Sequence, residues 1–377
     1  MTSVDRQEQN LPDAKVSASM PTRRIDFLDL LRGPAALCVV WDHLAATWPE
    51  QSGKVWPPAE LLRTHLLEPL GLIQDLGAFG VCLFFLISGY VITHVAQRET
   101  RGEFLLKRIF RIYPPLIVSI LLIVAIEAPG SGKLPWTVSE VLLSFTLANY
   151  LIVPQIVIQG VAWTLVIEMV FYGLTWLMMP LARNHVHILI VIQSCFVALV
   201  ALLSRNLGHE FFLFSVSVSY LPFLFVGQIL YFGLHLRKLG FAEVFVAGLI
   251  QLAAAIYAFG SVQPEFLKPG NSFLLSFVYA LVVFLGAQLY ADRLAIPAVI
   301  RRASDLSYSL YLLHPIVGFA VLDGLAGWLR FDIAFWTAVL AVVAASWLCW
   351  VSVERPSQAL GRRLARHLTD LNQRRRT

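Results

Sequence analysis

Charge is scarce in this 377-residue chain. Asp, Glu, Lys and Arg make up 14% of it, while 58% of the residues are hydrophobic and the mean hydropathy is +0.70. Soluble globular domains carry roughly 25% charged and 45–50% apolar residues. A water-soluble body is therefore excluded, and no nucleic-acid partner is expected. Cysteine is scarce as well. Cys38, Cys82, Cys195 and Cys349 are scattered through apolar runs without metal-ligand or redox spacing, so they read as small packing residues and no metal site is expected. The chain shows no internal repeat and no soluble domain; its longest polar interruption, Pro49 to Leu72, is too short to be one.

What the chain does contain is a series of apolar stretches such as FLLSFVYALVVFLGAQLY and IAFWTAVLAVVAASWLCWVSV. Each is near the ~20 residues that cross a bilayer as a helix. The expected fold is an all-α, polytopic transmembrane helix bundle of about ten spans. They cover residues 27–48, 73–96, 114–128, 162–182, 187–204, 212–234, 241–260, 272–291, 306–325 and 333–353. The first 22 residues are polar, contain Pro12 and Pro21, and lack an apolar core, so they read as a disordered tail and not as a cleavable signal peptide. The chain accordingly divides into a tail over 1–24, a transmembrane domain over 25–356 and a basic tail over 357–377.

Basic residues set the orientation. With the N-terminus in the cytoplasm, the inside segments hold 22 Lys and Arg and the outside segments six, which predicts that both termini are cytoplasmic. TVSEVLLSFTLANYLI, residues 137–152, is apolar enough to be an eleventh span, but that would invert everything after it. It is expected to be interfacial or re-entrant.

The first span, LDLLRGPAALCVVWDHL, holds Asp29, Arg32, Asp42 and His43. Eleven residues is close to three full helical turns, so Arg32 and His43 share a face about 16 Å apart along the axis. Ionisable groups inside a bilayer are costly and default to functional hypotheses. Asp29 and Arg32 could instead snorkel to the cytoplasmic surface, with His43 a neutral core residue. Pro34 is expected to perturb the helix just after Arg32.

Glu168, in WTLVIEMVFY, falls at a depth similar to His43 in the outer half of the membrane. It reads either as the carboxylate that orients a histidine base or as a structural hydrogen-bond partner for Trp163 or Tyr172. His314, before Pro315 in SYSLYLLHPI, reads first as a packing or kink histidine. FLLKRIFRIYPP, joining spans two and three, brings Lys107, Arg108 and Arg111 to one side of a helix. These cations either set topology or suit a phosphate-rich ligand, since guanidinium forks match phosphate oxygens.

The residues resemble acyltransferase family 3, the polytopic membrane O-acyltransferases that modify bacterial surface glycans and some macrolides. The resemblance rests on Arg32 and His43 in FLDLLRGPAALCVVWDHL, GAFGVCLFFLISGYVI (Gly77–Ile92), KRIFRIYP (Lys107–Pro114), WTLVIEMVFY (Trp163–Tyr172), SYSLYLLHP (Ser307–Pro315) and the closing ERP (Glu354–Pro356), in that order. It implies a bacterial inner-membrane enzyme that takes an acyl group, commonly acetyl, from cytoplasmic acyl-CoA to an acceptor hydroxyl. That acceptor would be a surface glycan or lipid-linked sugar. The resemblance makes His43 the catalytic base, Arg32 its partner on the donor path, and Lys107, Arg108 and Arg111 the holders of the donor's phosphates. It supports roles for Glu168 and His314 without specifying them. Glu168 is taken as a third catalytic candidate, and Trp163, Tyr172 and His314 as substrate-binding candidates. Many relatives add an extracytoplasmic esterase-like domain, whereas a basic tail follows span ten here.

The donor's pantetheine arm, on the order of 15–20 Å by bond geometry, matches the separation of Arg32 from His43. Direct transfer and a transient acyl-histidine both remain open. The rival class is a transporter or flippase using Arg32, His43 and Glu168 as a proton relay. Against it, the chain has no paired, Gly/Pro-broken segments in equivalent halves. A scaffold without chemistry fits poorly with polar groups inside the spans. The charge asymmetry predicts that a reporter fused after Arg376 is cytoplasmic and one in the Pro264–Asn271 loop external; an external C-terminus would overturn this orientation.

Overall fold

Helices form because a bilayer leaves each backbone amide no partner outside its own segment. The computed structural model describes residues 26–72, 76–131, 135–268, 270–290, 293 and 296–374, and no strand occurs among them. The expected N-terminal tail lies outside the described residues. In chain order the main helices are α1 (Asp26–Trp41), α2 (Gly77–Ala96), α3 (Arg101–Ser131), α4 (Val138–Phe145), α5 (Trp163–Asn184), α6 (Val186–Leu203) and α7 (His209–Val218). They continue with α8 (Leu221–Leu230), α9 (Phe241–Val262), α10 (Phe273–Leu289), α11 (Ala298–Leu325), α12 (Phe331–Cys349) and α13 (Arg355–Arg374).

The described residues of each of the ten expected spans are mainly helical, those of the sixth (212–234) divided between α7 and α8. Among the described residues, eight helices are long and apolar enough to cross a membrane. The remaining two segments differ for separate reasons. The first carries the ionisable residues noted above, and α10 is an apolar helix of 17 residues. α4 is only eight residues long, about 12 Å, so residues 137–152 do not form a span. After α4 the chain turns into the bundle. The Tyr150 hydroxyl donates to the Gln159 carbonyl, and the Gln159 side chain donates to Ser119 Oγ at 3.1 Å and the Leu312 carbonyl at 3.0 Å.

Two basic segments differ from expectation. Residues 97–113 are a short turn followed by the opening turns of α3. Thr100 and Glu103 cap that helix reciprocally, at 3.3 and 2.8 Å, and Phe104, Arg108 and Ile112 bury one stripe at a spacing of four. The C-terminal basic segment is also helical: α12 runs through a π-helical turn, Trp350–Glu354, straight into α13. α13 packs along the start of α3, with Gly361 against Phe110 and Ala365 fully buried. At the junction, buried Glu354 accepts from Ser309 of α11 at 2.6 Å and from Gln358 at 3.1 Å.

α2 is the central helix, packed by α1, α5, α8 and α10. It is largely apolar around its whole circumference and mostly buried, as suits a helix within a bundle. Its closest crossing is with α8. A Cβ on Gly89 would lie 1.9 Å from the Leu224 carbonyl oxygen, and one on Gly227 would lie 2.2 Å from that of Leu86. Small residues at such crossings let backbones meet directly. Gly89→Ala is therefore expected to destabilise by about 1–3 kcal/mol or more through overpacking. Gly173→Ala, whose Cβ meets nothing within 4 Å, serves as the control. Thermal unfolding of the detergent-solubilised protein checks this; equal midpoints would contradict the crossing.

Candidate active site

Polar residues from five helices converge on a narrow cavity of about 70 Å³. α1 supplies Arg32, α2 Ser88, α3 Arg111, α5 Glu168, and α11 Tyr308 and Tyr311. Ser88 Oγ donates to Glu168 Oε1 at 2.6 Å, and the Tyr308 hydroxyl donates to the Ile112 carbonyl at 2.8 Å. Tyr172 is buried against Glu168 and Arg111. Glu168 thus accepts from Ser88 and stands against Arg111.

The cations expected to grip a phosphate-rich ligand divide. Lys107 Nζ and an Arg108 nitrogen both meet the Glu99 carboxylate, at 3.0 and 3.8 Å. Arg108 is buried over the Phe104 ring, and its Nε has no hydrogen-bond partner among the described residues. Arg111, one turn further along α3, faces the cavity together with Arg32. Asp29 does not snorkel. It is buried and accepts from Ser304 of α11 at 2.7 Å.

His43 lies beyond this cavity. Pro34 sits within an unbroken α1; the irregularity falls at Asp42–Thr47, which is π-helical and places His43 in its first turn. Single π-turns inside α-helices are frequent at functional sites because they re-aim a side chain. His43 Nδ1 is 3.0 Å from the Val39 carbonyl oxygen. A carbonyl only accepts, so Nδ1 carries a proton, and in the neutral ring Nε2 then keeps its lone pair. The carboxylate at its side is Asp42, with Oδ2 3.7 Å from Nδ1. Gly77 of α2 leaves room for that carboxylate, since a Cβ there would be 2.2 Å from Asp42 Oδ2.

Glu168 and His43, expected at a similar depth, line different cavities. Depth counted along straight helices put them level, but Glu168 lines the inner cavity, whereas His43 lines a separate outer one of about 590 Å³. Trp163 belongs to the outer cavity with His43, and Tyr172 stays with Glu168. The imidazole beside His43 is that of His314, with ring centroids 4.8 Å apart at 76°. His314 is fully buried; its Nδ1 faces the Leu310 and Tyr311 carbonyls at 3.2 and 2.9 Å, and its Nε2 has no partner among the described residues.

Val81 and Tyr311 line both cavities and form the wall between them. The Tyr311 hydroxyl donates to the Val161 carbonyl at 2.9 Å and lies 2.8 Å from Thr164 Oγ1. Sequence reasoning did not single out Ser88, Tyr308 or Tyr311. Tyr311 sits three residues before His314, a spacing that could have marked it as a neighbour on the same helix face.

Removing the Glu168 side chain takes away the acceptor of Ser88 and a carboxylate facing the half-buried Arg111, and a buried hydroxyl left without its acceptor alone costs about 1–3 kcal/mol. Glu168→Ala should therefore lower the unfolding temperature clearly more than Glu168→Gln, which can still accept from Ser88. Identical melting of both variants and the wild type would contradict this geometry.

Compared with known proteins, residues 25–354 match the acyltransferase-domain family called acyltransferase family 3. Nodulation protein 10 of Rhizobium leguminosarum bv. viciae is 26% identical over 367 aligned residues, covering 88% of this chain and 93% of that protein. No solved structure matches.

Proposed function

The chain belongs to acyltransferase family 3, and from that membership we propose that it moves an acyl group, acetyl in the first instance, from cytoplasmic acyl-CoA to a hydroxyl of a glycan or lipid-linked sugar across a bacterial inner membrane. The observation that carries this reading is the succession of two cavities along α1, with guanidiniums in the narrow one and a tautomer-fixed histidine in the wide one.

In this scheme the donor's phosphates meet the opening turns of α3, where Lys107 and Arg108 form the rim and Arg111 and Arg32 face the passage. The pantetheine arm occupies the narrow cavity and brings the thioester to the wall formed by Val81 and Tyr311. The acceptor waits in the outer cavity. His43 Nε2 takes the proton from the acceptor hydroxyl as its oxygen bonds to the thioester carbonyl carbon. The C–S bond then breaks, and the departing CoA thiolate regains the proton from His43. Positioned acid–base help of this kind contributes about 10²–10⁴-fold. Asp42 offsets the positive charge that His43 carries between the two proton transfers. Glu168, which accepts from Ser88 and stands against Arg111, has no part in the proton transfers of this scheme.

His43→Ala is expected to lower acyl transfer by at least about 10²-fold while acetyl-CoA affinity stays close to wild type, because the donor's phosphates lie about 16 Å or more away. Charge reversal at Arg111 should do the opposite and weaken donor binding first. Both are read on detergent-purified, monodisperse protein by transfer assay and acetyl-CoA titration. A near-wild-type rate in His43→Ala would reduce the histidine to a packing residue and overturn the assignment.

A further inference from the structure

The basic helix α13 has more apolar surface than its packing uses. Gly361 and Ala365 form the row that meets α3, with Gly361 against Phe110. Leu360, Leu364 and Leu368, each four residues from the next, form the adjacent row. They are 48%, 39% and 43% exposed, although α3 lies beside them. About half a turn around the helix from the leucines stand Arg355, Arg362 and Arg366. Arg363 and His367 border the leucine row on the side away from Gly361 and Ala365. All five basic side chains are exposed, and Asp370 is the one exposed acid among the described side chains of α13.

An apolar row beside a basic face, on a helix of low overall hydrophobicity, is the pattern of a helix that lies in a membrane interface. The place where α13 begins agrees with this. α12 is 19 residues long, about 28 Å, which by itself nearly crosses the ~30 Å hydrocarbon core. Trp350 follows at once, with the Arg355 guanidinium 5.6 Å from its ring centre. Tryptophan and arginine are anchors of the boundary between hydrocarbon and headgroups. No loop separates α12 from α13, and α3 holds α13 along its length. The leucines therefore stay beside the bilayer surface and have no protein face left to cover them among the described residues.

We infer that α13 lies in the membrane interface and binds anionic phospholipid, its leucine row entering the acyl chains and its arginines, Arg363 first, meeting the headgroup phosphates. Charge selects this occupant. Four arginines and a histidine against one exposed acid favour an anionic leaflet over a zwitterionic one, and guanidinium forks match phosphate oxygens. The inference is independent of the acyltransferase reading, because no residue of α13 takes part in that scheme.

Two measurements on the full-length protein in nanodiscs test it. In the first, a spin label is attached in Leu364→Cys or in Arg362→Cys, with the native cysteines replaced by alanine. Its collisions with oxygen and with a water-soluble nickel chelate are compared. The label in Leu364→Cys should favour oxygen, and that in Arg362→Cys the chelate. Equal access of the chelate to both would overturn the immersion of the leucine row.

In the second, lipid retained from discs of equal phosphatidylglycerol and phosphatidylcholine is read by native mass spectrometry. The wild type should retain phosphatidylglycerol over phosphatidylcholine by at least about fivefold, the effect of one arginine near a charged surface. Combining Arg362→Gln, Arg363→Gln and Arg366→Gln should lower that ratio about fivefold or more. Combining Arg205→Gln, Lys268→Gln and Arg330→Gln, at the opposite end of the bundle, should leave it near the wild-type value. Equal retention of the two lipids by the wild type, or the same loss in both triple variants, would overturn the inference. Shielding of the Leu364→Cys label that appears only when two copies share a disc would assign the row to a contact between copies, and the inference would fall as well.

Discussion

Where α2 crosses α8 no side chain separates them; Gly89 meets the backbone at Leu224 and Gly227 meets it at Leu86. In a bilayer, where lipid tails are as apolar as leucine, such close approach is a main source of helix association. The crossing fixes α2 in the middle of the bundle, and α2 in turn shapes both cavities. Its Ser88 holds Glu168, its Val81 stands in the dividing wall, and the absence of a side chain at Gly77 gives Asp42 its place. A helix that merely filled space could shift by a fraction of an ångström without consequence. This one cannot, because three separate features of the polar interior are referred to it.

Within that frame the polar groups divide into two environments. The inner one opposes cations with carboxylates: Arg32 and Arg111 share a cavity with Glu168, and Lys107 and Arg108 meet Glu99. The outer one holds His43, whose Nδ1 faces the Val39 carbonyl, and packed beside it is His314, whose Nδ1 likewise faces main-chain carbonyls. A backbone carbonyl orients a histidine without adding a full charge, so a second carboxylate behind the ring is not required. The π-turn at Asp42–Thr47 serves this arrangement, since it turns His43 while Val39 still reaches its Nδ1.

Much of this was legible in the residues. Apolar runs of bilayer length pointed to helices in each expected span; Arg32 and His43, read as about three turns apart on one helix, line different cavities. Thr137 and Glu140 also form the capping box that begins α4. What eluded the sequence is traceable to physical causes. Depth along an ideal helix says nothing about azimuth, so Glu168 read as level with His43 although the two face different cavities. A basic stretch next to a span reads as a loop until a buried stripe such as Phe104, Arg108 and Ile112 shows that it continues the helix. Tautomer and partner choice depend on contacts across the fold, and nothing in SYSLYLLHP announces that His314 packs against His43. The family matched over residues 25–354 agrees with the resemblance carried by the six motifs.

The wall formed by Val81 and Tyr311 also has an electrical meaning. A membrane potential falls mainly across the least polarisable part of its path, and here the ionisable groups of the inner cavity and those of the outer cavity stand on opposite sides of one layer of side chains. Moving a full elementary charge through the whole potential is worth about 2.3 kcal/mol per 100 mV, and concentrating that drop over one thin layer raises the local field well above its average across the bilayer. Any charge displaced through that layer then becomes sensitive to a potential held across the membrane. The septum works as a dielectric as much as a steric partition.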